Sequence, residues 1–391
     1  MKFRDKIFNE NVFEKYMKTL PSTKENSLIK NGLFTNVNKY GAKLDEQVGG
    51  YFITEPIKGR IGGDPVNYDG NTDIGAGSER PTYLQTKICY GRANAWGEYD
   101  FSSDITGGEN FMAEAQEVKD YWDGERQKTV LSILKGIFGM TGGVNAQFVE
   151  SHTYEVEGNL EADSLNRASQ KALGDKKQNL EVMFTHSMVS TNLEGLNLIQ
   201  FLKYTDADGI TRDLRIGTYN GKLVIVDDDM PTEEVEAEYE LTSDVAIDSS
   251  KTYYTRTGSG NSASPYVYTE VETPDVDDIA TYYEMTSEAY DTYTSYVFKK
   301  GFFEYQPLRV KVPSEVARDA KTKGGKNELI SRIREIIVPT YISYKTTNKI
   351  SPLNSDFENG ANWEIANDGA TSNKKYVDPK LIPVVRIISR G

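Results

Sequence analysis

A chain of 391 residues with a formal net charge of −14 can bury a sizeable core, in one large domain or in two or three smaller ones. The single cysteine, Cys89, excludes an intrachain disulfide, and His152 and His186, 34 positions apart with no CxxC or HExxH, offer no zinc-site pattern. No stretch reaches the roughly 18 uninterrupted apolar residues of a membrane span, and the N-terminal MKFRDKIFNENVF lacks the apolar core of a signal peptide, so the chain reads as soluble, made in the cytoplasm and held by noncovalent packing within or between chains.

In chain order, Phe3, Ile7, Phe8, Val12, Tyr16, Met17 and Leu20 fall at helical spacing, an amphipathic face for docking on a neighbour, on a scaffold protein or on its own subunit. Tyr51 to Ile57 and Tyr83 to Tyr90 are strand-like, and between them lie Gly59, Gly62, Gly63, Gly70, Gly75 and Gly77. A loop this long is uncommon in a compact domain and is explained either by disorder or by a surface that orders against a partner, and a partner is the expectation. Four residues in or beside this arm, Arg60, Arg80, Arg92 and Trp96, are of the types enriched at interface anchors and are the candidate assembly contacts. The competing reading is that at least half of them solvate the loop or pack within the subunit.

From Glu109 to Phe138 the period becomes helical, with Phe111, Ala115, Val118, Trp122, Thr129, Ile133 and Ile137 on one stripe, Gly124 as a bend and Gly139 as the stop. Such a helix would be on the order of 45 Å long. Shorter elements follow: a helix over 161–173 closed by Gly174, a strand over 181–185, a helix over 191–204, and two strands over 214–226 around the hairpin signal Asn220-Gly221. Farther on, 296–303 reads as strand, 328–337 as mixed and 381–388 as a terminal apolar strand, so the class is α+β.

Charge is concentrated in one block. From Asp227 to Tyr296 there are eighteen Asp or Glu against Lys251 and Arg256, a net −16, so the remainder sums to +2 and can approach DNA while the block points away from it. Within the block, Tyr239 to Tyr254 aligns on Tyr268 to Tyr283 at a constant offset of 29, with Thr-Tyr-Tyr closing both copies and a Gly-Ser-Gly-Asn-Ser-Ala-Ser-Pro turn between them. The composition suits short strands and turns, and 231–297 reads as a small inserted β-module; the competing reading is a disordered acidic loop, which the charge density favours and the repeated aromatic pairs oppose.

Catalytic patterns are missing. Gly324-Gly-Lys326 is followed by Asn327 and completes no phosphate loop, Gly75-Ala-Gly77 does not complete a dinucleotide fingerprint, and Asp206-Ala-Asp-Gly209 lacks the downstream Glu of a calcium loop. The adjacent acids Glu233-Glu234 and Asp227 to Asp229 do not form an opposed pair by sequence. The expectation is no enzyme activity, no cofactor and no metal.

The hairpin Ile216 to Pro231, preceded by Met183-Phe-Thr-His-Ser-Met188 and followed by Tyr296-Val-Phe-Lys-Lys-Gly-Phe-Phe303, resembles the central elements of tailed-bacteriophage major capsid proteins. Ser351-Pro-Leu-Asn, Asn362-Trp-Glu364 and the closing apolar strand resemble the family's C-terminal stretch. The order of these elements is that of the Hong Kong 97-like capsid fold. The resemblance implies an N-terminal arm (1–50), an extended loop (51–108), a spine helix in a peripheral domain (109–146) and an axial domain in two parts (147–230 and 298–391). The second part includes a return strand to the peripheral domain, and the 231–297 module is extra. A His-Pro-Gly-like turn common in the family is replaced by Ile337-Val-Pro-Thr340. The function implied is self-assembly into hexamers and pentamers of an icosahedral shell in the virion, enclosing double-stranded DNA and formed in the host bacterial cytoplasm. Implied partners are other copies of the chain, a separate scaffolding protein, a portal, DNA on the inner face and an optional decoration protein, with no membrane. Lys58 and Lys87 are the candidates for the covalent crosslink made by part of the family, although a loop lysine is usually only solvated. The competing functions are an encapsulin-like compartment shell and a phage tail-tube protein, the latter opposed by the long helix.

Overall fold

Apolar stripes on one long helix and two large sheets meet in a shared core, and a small third sheet stands on the side. The structure is a computed structural model describing residues 34–37, 51–73, 80–99, 111–205, 211–242, 246–248, 250–260, 264–346 and 348–390. The amphipathic stretch expected from Phe3 to Leu20 lies outside the described residues.

Strands Phe52–Lys58 and Thr82–Ile88 form the expected hairpin, in antiparallel register from Phe52↔Ile88 to Lys58↔Thr82. Past Cys89 the chain continues as Tyr90–Tyr99, which pairs along its length with Lys326–Pro339. That 14-residue strand is the axis of a five-stranded sheet completed by Phe303–Pro307, Ser314–Asp319 and Phe34–Asn36. The stretch expected as mixed is thus one strand, because its alternation from Leu329 to Ile336 matches a two-sided sheet. It ends at Pro339, and Tyr341 then takes φ 64, a left-handed turn where the family's His-Pro-Gly-like sequence is absent.

The helix Phe111–Phe138 runs unbroken through Gly124 and buries Val118, Trp122, Thr129, Ile133 and Ile137, five members of the anticipated stripe. At Gly136 a Cβ would stand 1.9 Å from the Phe357 carbonyl oxygen, so this glycine sets how closely the short helix Asn354–Glu358 packs.

The second large sheet has the order Thr153–Glu155, Val384–Ser389, Tyr290–Phe298, Val182–Thr185, Lys222–Val226, Thr211–Tyr219, Gln200–Thr205, with Thr232–Val235 against Tyr290–Phe298. The Asn220-Gly221 turn has φ 49 and 75, a mirror-image hairpin turn of the kind the dipeptide favours. Three expectations need correction. The helix placed over 191–204 is Ser187–Gly195 followed by the strand Gln200–Thr205. His186 starts it early, its Nδ1 accepting from the Met188 N–H at 3.1 Å, and Asn197 at φ 55 turns the chain out of the helix. The 161–173 helix begins at Ser164, and the 296–303 strand breaks into Tyr290–Phe298 and Phe303–Pro307 around Gly301 at φ 73.

The acidic block contains the third sheet, with strand order Glu238–Leu241, Tyr283–Ser287, Tyr253–Thr257, Val267–Glu270. The two repeat copies interlock: the first strand of each pairs with the last strand of the other. Tyr239↔Met285 and Leu241↔Tyr283 in one half correspond at the same offset of 29 to Tyr268↔Arg256 and Glu270↔Tyr254 in the other. Tyr254↔Tyr283 crosses the dyad between them. Beneath the sheet Tyr253, Tyr282 and Ile279 form a separate buried cluster. The flanks Thr232–Val235 and Tyr290–Phe298 belong to the large sheet, so the four-stranded unit itself lies within 238–287.

Candidate assembly surfaces

The hairpin can act as an arm only if its base is rigid, and the base is built from buried polar contacts. Lys87 is 2 % exposed, and its Nζ donates to Glu55 Oε2 at 2.9 Å and Glu304 Oε2 at 2.5 Å. A lysine this buried requires paired carboxylates to remain charged, and this one joins both hairpin strands to the five-stranded sheet. Gln85 Nε2 donates to the carbonyls of Pro339 and Ile342 at 2.8 and 2.9 Å, and the Leu84 N–H to Asn367 at 2.6 Å. The arm is therefore fastened to the C-terminal third of the chain. Lys58, the other lysine weighed for crosslinking, is exposed at the hairpin's far end.

Beyond the neck the chemistry changes. Arg80 Nε donates to the Gly59 carbonyl at 2.6 Å and the Gly59 N–H to Pro81 at 2.7 Å, closing the loop where it leaves the strands. Arg60 is exposed just outside that neck. In the tip, Asp69 accepts from the backbone N–H groups of Asn71 and Thr72 and from the Thr72 hydroxyl. These bonds hold its carboxyl down at about 2. This loop also carries Tyr68, 95 % exposed, with Ile61 and Val66 exposed as well, apolar side chains that the described residues leave open to solvent.

Arg92 and Trp96 lie on the next strand and are used internally. Arg92 Nη2 donates to the Pro352 carbonyl at 2.8 Å and to Asn354 Oδ1 at 3.1 Å, and its guanidinium lies 4.9 Å from the Tyr90 ring centroid. Burial pulls its pKa below the usual arginine value. Trp96 meets Tyr121 and Trp122 edge-on at 5.2 and 6.3 Å, beside Val118 and Leu329. The four candidates therefore divide into Arg60 and Arg80 at the loop neck and Arg92 and Trp96 on the strand that docks the spine helix.

A further constellation lay outside the sequence reading. Arg126 Nε and Nη2 donate to Glu335 Oε1 at 2.7 and 2.5 Å, Nη1 to Asp123 Oδ1 at 2.5 Å, and the hydroxyls of Tyr90 and Tyr305 reach Glu335 at 3.2 Å. Burial alone would lower the Arg126 pKa, but Glu335 and its neighbours raise it. The network locks the helix, the arm's continuation and the central strand to one another. Its signal was a glutamate inside the apolar run Ile333-Arg-Glu-Ile-Ile-Val338.

The order of arm, spine helix, two sheets and returning C-terminal strand defines the Hong Kong 97-like capsid fold. The capsid of Ralstonia phage GP4 has it at TM-score 0.50 and 9 % identity, over 93 % of this chain and 89 % of that one. The acidic stable capsid structure of Helicobacter pylori bacteriophage KHP30 is similar at TM-score 0.47 and 13 % identity, over 100 % and 99 %. By sequence the chain is 24 % identical over 377 residues to the major capsid protein of Bacillus phage SPP1, covering 94 % of this chain and 92 % of that protein. No family model matches. Sequence and fold together support a tailed-bacteriophage major capsid protein.

Proposed function

We propose that the chain is the shell-forming subunit of a tailed phage, tiling hexamers and pentamers of an icosahedral capsid around double-stranded DNA. The observation that carries this is the sequence relation to a phage major capsid protein over nearly the whole of both chains. The arm supports it: a base fixed by Lys87, Glu55 and Glu304 carries a tip whose Tyr68, Ile61 and Val66 need a neighbour's surface to be buried. On this reading 1–50 is the N-terminal arm, 51–108 the extended loop, and 109–146 the spine helix and peripheral domain. The axial domain comprises 147–230 and 298–391, and 231–297 is an insertion. Arg60 and Arg80 at the loop neck are intersubunit contacts, whereas Arg92 and Trp96 set the arm's angle. The role is non-enzymatic, located in the virion after assembly in the host cytoplasm with a scaffolding protein and a portal, and optionally capped by a decoration protein. Among the described residues no helix is long and apolar enough to cross a membrane.

Electron microscopy of the purified protein, expressed alone and with a scaffolding protein, tests this. Closed shells, or capsomer rings that close when scaffold is supplied, are expected. Stacked tubes, or a chain that stays monomeric in both conditions, would overturn the proposal.

A further inference from the structure

The acidic module repeats its strand pairing in both halves, apart from one bulge just past Met285, but it does not repeat its chemistry. On its outer face Tyr239 and Tyr268 stack at 4.0 Å across the dyad, each with the last tyrosine of its own copy, Tyr254 or Tyr283, set edge-on. At the Tyr283 end, Arg256 places its guanidinium 4.7 Å from the Tyr283 centroid and 4.4 Å from Tyr266, and the cross-strand neighbour is Leu241. That end supplies its own cation. At the Tyr254 end the offset of 29 puts Met285 where Arg256 would be and Glu270 where Leu241 would be. Glu270 is the cross-strand neighbour of Tyr254, and partial burial, Glu270, Tyr239 and Glu288 all push the Tyr254 hydroxyl up. The module's other cation, Lys251, is held by Glu284 at 3.0 Å.

We propose that the Tyr254 end, with Met285, Glu270 and Glu288, receives an arginine side chain from a basic segment of a different protein. The arginine would occupy over Tyr254 the position that Arg256 occupies over Tyr283. The occupant follows from charge complementarity and from the internal precedent. Among the described residues the face has an aromatic ring and acids but no cation, and the corresponding position one repeat away is filled by a guanidinium. A second copy of the module is disfavoured as occupant because 238–287 carries ten acidic residues against Lys251 and Arg256.

Fluorescence anisotropy of a labelled hexa-arginine peptide, titrated with the purified full-length protein near 0.15 M salt, is the test. The wild-type chain is expected to bind, and Met285→Arg, which lets the chain fill the position itself, to weaken binding by at least about tenfold. Glu270→Gln is expected to weaken it as well, through loss of the carboxylate alone. Thr269→Arg adds the same charge on the opposite side of the strand next to Glu270, where the register is unbroken, and is expected to change the affinity by less than about twofold. No binding to the wild type overturns the proposal. So does equal binding by all four proteins, which would mean attraction to the chain's overall negative charge. If Met285→Arg abolished self-assembly without affecting the peptide, a second copy would be the occupant and the proposal would also fall.

Discussion

Glu335 is 1 % exposed at the centre of the five-stranded sheet and is matched by Arg126 from the spine helix. Removing one member leaves the other charged and buried, which costs about 3–5 kcal/mol, whereas replacing both with apolar residues avoids that penalty. Glu335→Met and Arg126→Met are each expected to lower the unfolding free energy of the unassembled subunit by that amount in urea. Arg126→Met combined with Glu335→Met should recover part of the loss, since Asp123 and the two tyrosine hydroxyls remain without their partner. Strictly additive losses would mean that the pair is not coupled. His152 gives a pH prediction. Burial lowers its pKa to about 4, partly offset by the backbone carbonyls of Phe148, Ile382 and Pro379. The folded pKa lies below the unfolded value near 6.5, so the unfolded chain takes up the proton first. The stabilising contribution is complete above pH 6.5 and is lost as pH falls toward 4, up to about 3 kcal/mol. Urea midpoints measured from pH 7 to pH 4.5 should fall less steeply for His152→Gln than for the wild type. Parallel slopes would show that the imidazole is not what titrates.

Two glycines of the spine helix separate what the sequence discloses from what it conceals. Gly124 and Gly136 look alike as helix-weakening residues, and only the first drew attention as a bend. In the fold a Cβ at Gly124 meets nothing within 4 Å, whereas at Gly136 it would collide with the Phe357 carbonyl. Gly124→Ala is expected to stabilise by about 1 kcal/mol through helix propensity. Gly136→Ala should destabilise by about 1–3 kcal/mol despite the same gain, because overpacking dominates. Thermal melts of the two variants should move in opposite directions, and a shared direction would refute the packing argument. The helix itself was legible because its buried stripe keeps helical spacing from Val118 to Ile137, and the 220–221 turn because Asn-Gly accepts left-handed φ. The strand Gln200–Thr205 was not, since Leu196, Ile199, Leu202 and Lys203 also fit a helical spacing and the partner strand that decides the matter starts at Thr211. At the candidate surface, the residue types drew notice to Arg92 and Trp96, but their partners at Pro352, Asn354 and Tyr121 come from distant segments and could not be read. The Arg126–Glu335 pair spans 209 positions and left only an odd glutamate as its trace.

The whole molecule can be divided where its energetics divide. The module's buried cluster of Tyr253, Ile279 and Tyr282 is separate from the main core around the spine helix. The strands that lead into and out of the module, Thr232–Val235 and Tyr290–Phe298, are themselves an antiparallel pair in the large sheet, with Val235 opposite Tyr290. Residues 236–289 therefore leave and rejoin the sheet at one hairpin end, and a short Asn-Gly turn can close that gap with the geometry of Asn220-Gly221. Such a replacement removes ten net negative charges and the whole tyrosine face, but no residue of the main core. The shortened chain is expected to fold with an unfolding free energy within about 1 kcal/mol of the full chain, since its buried contacts outside the module are unchanged. It should also assemble into shells of the same diameter by electron microscopy. An insoluble product would make the module part of the folding core. A soluble product that forms only open or irregular shells would make it an assembly contact between subunits. Normal shells would leave it as a surface device, the placement expected of a segment whose buried cluster is separate from the main core.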